Sequence, residues 1–160
     1  MTQVAIFMGS KSDVDQVKPC TDILKELDIE HFATITSAHR TPQRTRELVQ
    51  DMESKGCKVF ICAAGMAAHL AGAVAAQTIR PVLGIPLAAS SLSGWDALLA
   101  TVQMPPGFPV GTVALDKAGA RNAAWMAAQI LAVEDENLAA KIRDSRERMA
   151  RDVEKAAREI

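Results

Sequence analysis

Val4-Ala5-Ile6-Phe7-Met8-Gly9-Ser10-Lys11-Ser12-Asp13 starts as five unbroken apolar residues and turns polar at a glycine. A short apolar run without alternation is the pattern of a strand covered on both faces, as in a parallel sheet held between helices. The polar part then opens a helix. Ser12, with Asp15 three residues on, reads as a capping-box-like pair leading a helix to about Leu27, with Val14, Val17, Leu24 and Leu27 on its inner face. Pro19 falls inside that helix and, lacking an N–H, is expected to kink or delay it.

The same unit recurs downstream. Phe32 to Thr36 is a second strand, after which Thr41 caps and Pro42 starts a helix whose Leu48, Val49 and Met52 face inward. Gly56 ends that helix, and Lys58 to Ala63 is a third strand. Gly65 leads into an alanine-rich helix from Met66 to Ile79, and Pro81 to Pro86 is a fourth, shorter strand. Strand and helix in alternation imply right-handed crossovers and an α/β fold with a central parallel sheet between two helical layers. From Leu87 to Pro109 the pattern loosens around a short helical piece, Trp95 to Val102, and the turn Met104 to Gly107; irregular connections of that length commonly wall a site. Val110 to Leu115 reads as a fifth strand and Gly119 to Val133 as a further helix.

The 160 residues suit one core. With 18 basic and 19 acidic residues the net charge of -1 offers no field for nucleic acid or an anionic membrane. No run approaches the roughly 18 apolar residues that span a bilayer, and no secretory pattern is visible, so a soluble cytoplasmic protein is expected. Cys20, Cys57 and Cys62 lack CxxC spacing, which argues against a disulfide framework and a zinc site. No Asp, Glu and His cluster has metal-ligand spacing, so no metal is expected. Between Val59 and Leu115 only Arg80 and Asp96 carry a formal charge, more apolar chain than one small domain can cover, and subunit interfaces are expected. Beyond Val133 the chain is dense in charge, yet Leu138, Ile142, Ser145, Met149, Val153, Ala156 and Ile160 recur at helical spacing. That face fits equally a solvated helix on its own domain and one docking on a neighbouring subunit.

Ligands of open parallel sheets bind beyond the carboxyl ends of the strands, where helix N-termini offer free N–H groups. Three loops meet that description: Gly9 to Asp13, Ser37 to Thr41, and Gly65 to His69. Gly9 allows close backbone approach, Ser10 and Ser12 carry hydroxyls for a phosphate or ribose, and Asp13 can accept from sugar hydroxyls. Arg40 is a fork for phosphate or carboxylate, and His39 beside it can exchange a proton near neutral pH. His69 is either a second site group or a core histidine, and His31 has no comparable setting and belongs to the surface. Each feature also has a plainer reading, as a helix cap, a surface arginine or a structural histidine. The loops match neither the dinucleotide fingerprint nor the P-loop, and no Ser-His-acid arrangement stands out, which leaves proton transfer and positioning.

Gly-Ser-Lys-Ser-Asp at 9–13, Ser-Ala-His-Arg-Thr-Pro at 37–42, Ala-Gly-Met-Ala-Ala-His-Leu at 64–70 and the stretch Leu92 to Gly107, in this order, closely resemble class I 5-(carboxyamino)imidazole ribonucleotide mutase of purine biosynthesis. The resemblance implies a flavodoxin-like three-layer fold, a homo-octamer with pockets at subunit contacts, a ribonucleotide substrate and no cofactor. It implies one nucleotide-binding catalytic domain over 1–133 and matches 134–160 only as a charged helix, which is expected to pack on a neighbouring subunit. It carries His39 over as general acid and base, His69 as second site histidine, and Ser10, Ser12, Asp13 and Arg40 as the group that binds the phosphoribosyl moiety. Ser37, Ala38, Gly65, Ala67 and Leu70 become pocket wall. Ala71 departs from the family's usual proline, and Ala97 and Ala100 from common serines. Two other readings stay open: a carboxylase adding free carbon dioxide to aminoimidazole ribonucleotide, and a flavodoxin-like binding or signalling module.

Overall fold

The computed structural model describes residues 1–160. Five strands, β1 (Val4–Met8), β2 (His31–Ile35), β3 (Val59–Gly65), β4 (Val82–Leu87) and β5 (Gly111–Thr112), form one sheet in the order β2-β1-β3-β4-β5. All pairings are parallel, and this order is the flavodoxin-like one. Six helices accompany it: α1 (Val14–Glu26), α2 (Pro42–Ser54), α3 (Leu70–Ala75), α4 (Trp95–Val102), α5 (Asp116–Ala132) and α6 (Glu136–Ala157).

The unbroken apolar strands are explained by two cores. Val4, Ile6 and Met8 pack with α1, α5 and the start of α6, while Ala5 and Phe7, pointing the other way, pack with α2 and α3. Alternate residues of one strand thus serve opposite layers. Thr101 and Ala71 crowd the β4 backbone at Gly84, which sets α4 on the same face as α3.

Several boundaries differ from the sequence expectation. The capping box lies two residues earlier: Ser10 accepts from Ser12 N–H, and Asp13 accepts from Ser10 N–H, around a short 3-10 turn that runs straight into α1. Val14 is consequently turned outward, and Cys20 takes its place beside Val17, Leu24 and Leu27. Pro19 does not delay α1, which already begins at Val14 and is helical on both sides of the proline. β4 continues through Pro86, tolerated because β5 pairs only as far as Gly84. β5 itself is two residues rather than six, because Val113 makes one last bond to Gly84 O before the chain turns into α5, which begins at Asp116 rather than Gly119. His31 is half-buried at the start of β2, with Nδ1 2.9 Å from Ile29 O.

The largest change is α3, six residues where fourteen were expected. Gly65 cannot carry a side chain, since a Cβ there would stand 2.6 Å from that of Ala89. Met66 then adopts φ 56, a left-handed conformation that costs a non-glycine residue about 1–2 kcal/mol. Ala68 N–H bonds back to Met66 O and His69 N–H to Ala67 O, so residues 66–69 are a tight turn and the helix starts only after it.

α6 divides in two. Leu138, Ile142 and Ser145 are buried, whereas Met149 and Val153 are 51% and 70% exposed and Ile160 is fully so. Lys141 pairs with Asp28 and Arg148 with Glu26, but both pairs are exposed and screened by solvent, so neither holds the helix down. Burying Leu138 and Ile142 contributes roughly 1.5–3 kcal/mol apiece, so apolar contact holds the first half and nothing comparable holds the second. No helix is long and apolar enough to cross a membrane.

Candidate active site

Register brings the loops together. Met8 lies opposite Ile35 on one side and Ala63 on the other, so Gly9 and Thr36 leave the sheet level with Ala64, and β3 runs on to Gly65 beside β4. From β1 the chain moves to β2 at one flank and then to β3 at the other, and this switch of direction opens a crevice at the carboxyl edge. A cavity of about 560 Å³ occupies it. Gly9, Ser10, Ser12, Asp13, Ser37, Ala38, His39, Arg40, Gly65, Ala67, His69 and Leu70 all line it, from three separate loops. Ala64, Met66 and Ala89 line it too and carry no polar signal in the sequence. Ala89 follows β4, the fourth strand to end here, and the preceding Ala88 N–H is tied to Asp116 Oδ1 at 2.9 Å.

Hydroxyls fix the turn that carries His39 and Arg40. Buried Thr36 Oγ1 lies 2.9 Å from Thr45 Oγ1 and 3.3 Å from Thr41 Oγ1. Thr41 Oγ1 accepts from Ser37 N–H, and Ser37 Oγ accepts from Arg40 N–H at 3.1 Å. Backbone Thr41 N–H to Ser37 O closes the turn. Threonine and serine at 36, 37, 41 and 45 are therefore the scaffold that aims the side chains of His39 and Arg40 outward.

His39 Nε2 stands 2.7 Å from His69 Nδ1, with the rings nearly perpendicular at 85°. Two N–H groups cannot face each other across that distance, so one of these nitrogens donates and the other accepts. The arrangement can give one proton and take one back. The guanidinium of Arg40 makes no hydrogen bond or ion pair within the chain and stays free for an anionic ligand, while its backbone is held.

Asp13 is buried, and burial holds its carboxyl above the usual carboxylate range against the hydrogen bonds from Ser10 and Ser12 that act to lower it. A native carboxyl with a raised pKa binds protons more readily than the unfolded one, so the stability it contributes falls as pH rises through that window. Asp13→Asn is therefore expected to melt higher than wild type at pH 7, with the advantage vanishing below the ordinary carboxylate range, and to weaken ligand binding. Thermal melts of both proteins from pH 3 to 8 check this; a mutant that melts lower at neutral pH contradicts it.

The three thiols are out of play. Burial pushes Cys20 up to about 12 and Cys57 to about 11, and Cys62 is raised further still. No three His, Cys, Asp or Glu side chains converge as a metal ion requires. A larger cavity of about 850 Å³ lies at the opposite end of β4, beside Arg80, Phe108 and Met126, and contains no histidine.

The AIR carboxylase family model matches residues 3–152. N5-carboxyaminoimidazole ribonucleotide mutase of Haemophilus influenzae is 48% identical over 145 residues, covering 91% of this chain and 88% of that protein. The mutase of Thermotoga maritima is 46% identical over 159 residues, covering 99% and 92%. Among solved structures, Treponema denticola PurE superposes with a TM-score of 0.87 at 26% identity, covering 100% of this chain and 99% of that one.

Proposed function

Because the chain belongs to the AIR carboxylase family, we propose that it is an isomerase of purine biosynthesis, moving the carboxylate of N5-carboxyaminoimidazole ribonucleotide from the exocyclic nitrogen to ring carbon 4. The near full-length likeness to proteins named as mutases favours this over the carboxylase that takes free carbon dioxide. The observation that carries the chemistry is the hydrogen-bonded pair His39 and His69 beside an unpartnered Arg40 in one cavity.

Arg40, with the hydroxyls of Ser10 and Ser12 and the backbone at Gly9, holds the phosphate at the N-terminal turn before α1. Asp13 accepts from ribose hydroxyls. Ser37, Ala38, Gly65, Ala67 and Leu70 wall the base. The carbamate N–C bond breaks, its electron pair stays on nitrogen, and His39 delivers a proton there, leaving the amine and carbon dioxide. Carbon 4 then attacks the trapped carbon dioxide, and His39 removes the proton from carbon 4, ending as it began. His69 steadies the ring of His39 and its charge. Confinement supplies the effective concentration that a weak electrophile needs. The reading gives no step to a metal or a cofactor.

The protein works as a homo-oligomer in the cytoplasm, where free cysteines stay reduced; the family resemblance makes the assembly an octamer. Trp95, Leu99 and Val102, spaced along one side of α4, are 67%, 51% and 49% exposed, with Leu92 and Phe108 nearby in sequence, more apolar surface than a monomer of this size carries singly. The outer half of α6 docks on a neighbour through Met149 and Val153. Met149→Glu with Val153→Glu is expected to lower the sedimenting mass while leaving the circular dichroism intact; an unchanged sedimentation profile refutes the docking.

The functional assignment is tested by supplying each substrate separately to purified protein. Conversion of the carbamate without ATP or added bicarbonate is expected. Turnover confined to aminoimidazole ribonucleotide plus bicarbonate would overturn the mutase in favour of the carboxylase.

A further inference from the structure

Met66 is the one residue lining the cavity that holds positive φ without being glycine. Asp28, Ser93 and Asp116 share that conformation elsewhere, and a short polar side chain such as aspartate tolerates it because it can hydrogen-bond locally. Methionine has no such compensation. Strained backbone of this kind clusters at ligand clamps, where surrounding structure holds it. Here Gly65, pressed against Ala89, fixes the chain on one side, and the turn bonds of Ala68 and His69 fix it on the other.

Met66 is also 61% exposed, whereas Leu70, the other large apolar residue of the cavity, is buried. The rest of the apolar wall is alanine and glycine. Met66 is thus the only long, flexible apolar side chain on the rim, and its unbranched, polarisable thioether suits contact with an aromatic ring.

We propose that Met66 is a positioning residue that covers the aminoimidazole ring and retains carbon dioxide, so that transfer to carbon 4 outruns escape. The inference rests on the mutase reading. Once the N–C bond has broken, carbon dioxide is neutral, and neither Arg40 nor a hydroxyl can hold it by charge. Two fates compete. Carbon 4 donates its electron pair, forms the new C–C bond and gives up its proton to His39, or carbon dioxide leaves and the decarboxylated ribonucleotide remains. An apolar cover changes the ratio of these fates without touching the proton chemistry.

The test compares Met66→Gly and Met66→Leu with wild type. Glycine adopts positive φ without strain and leaves the mouth open, so that variant folds; leucine keeps an apolar cover. The readouts are the ratio of C4-carboxylated product to decarboxylated ribonucleotide, corrected for the reaction without enzyme, and incorporation of isotope from labelled bicarbonate into product. Met66→Gly is expected to raise both leak and incorporation about tenfold while substrate is still consumed, and Met66→Leu to stay within about twofold of wild type. A wild type that transfers the carboxylate while Met66→Gly partitions identically overturns the role of Met66 alone. A wild type that does not consume the carbamate overturns the mutase reading beneath it.

Discussion

His39→Asn is expected to bind the ribonucleotide with near-normal affinity and to lose turnover by roughly 10²–10⁴-fold, the usual worth of a positioned acid and base. The side chain sits on a turn whose hydrogen bonds run through Thr36, Ser37, Thr41 and Thr45, none of which needs the imidazole, so the scaffold survives the change. The amide is close in shape to half of the ring and can still bond to His69, but it cannot carry a proton. The outcome separates roles when His69→Asn and the double variant are added. If the pair acts as one unit, the double variant loses little more than His39→Asn alone, because groups that work together are not additive. Full additivity means that His69 acts independently, and near-normal turnover in His39→Asn removes it from the chemistry. Equilibrium binding of the product, read beside kcat, keeps a folding defect from passing as a catalytic one.

Much of this site is legible in the sequence because it lies where strand ends show themselves. Val4 to Met8 and Val59 to Ala63 are apolar throughout since both faces of each strand are covered, and the glycine that closes each run, Gly9 or Gly65, marks the carboxyl edge. What stays ambiguous at that level is equally physical. Ser10 with Asp13 and Ser12 with Asp15 satisfy the same capping spacing, and only the point where β1 ends selects the first. Alanine-rich residues 66–79 look helical by propensity, but Gly65 packing against Ala89 is a long-range contact that no local window contains, and it converts the start into a strained turn. Ala89 itself carries no chemistry and joins the cavity only because Leu87 pairs with Gly65. The stripe on α6 is continuous in sequence, yet the body of the subunit ends partway along it, so one period covers both a buried and an exposed half.

Arg40→Met is expected to raise KM for the ribonucleotide by about 10²-fold or more with a smaller effect on kcat. The guanidinium is exposed and engages no carboxylate or carbonyl of its own chain, so its removal takes nothing from the fold, and the melting temperature should stay within about one degree of wild type. Two hydrogen bonds from a charged donor to a phosphate contribute about 1.5–3 kcal/mol each, and each 1.4 kcal/mol is tenfold in affinity. Because the phosphate is remote from the breaking N–C bond, it is gripped equally in ground and transition states, and such uniform binding appears in KM rather than kcat. Arg40→Lys keeps the charge and loses the fork, and should fall between the two. Inorganic phosphate as a competitive inhibitor gives a second reading: it should inhibit wild type and lose its effect on Arg40→Met. A kcat/KM within about threefold of wild type would remove Arg40 from the phosphate and leave the N-terminal turn with Ser10 and Ser12 to hold it alone.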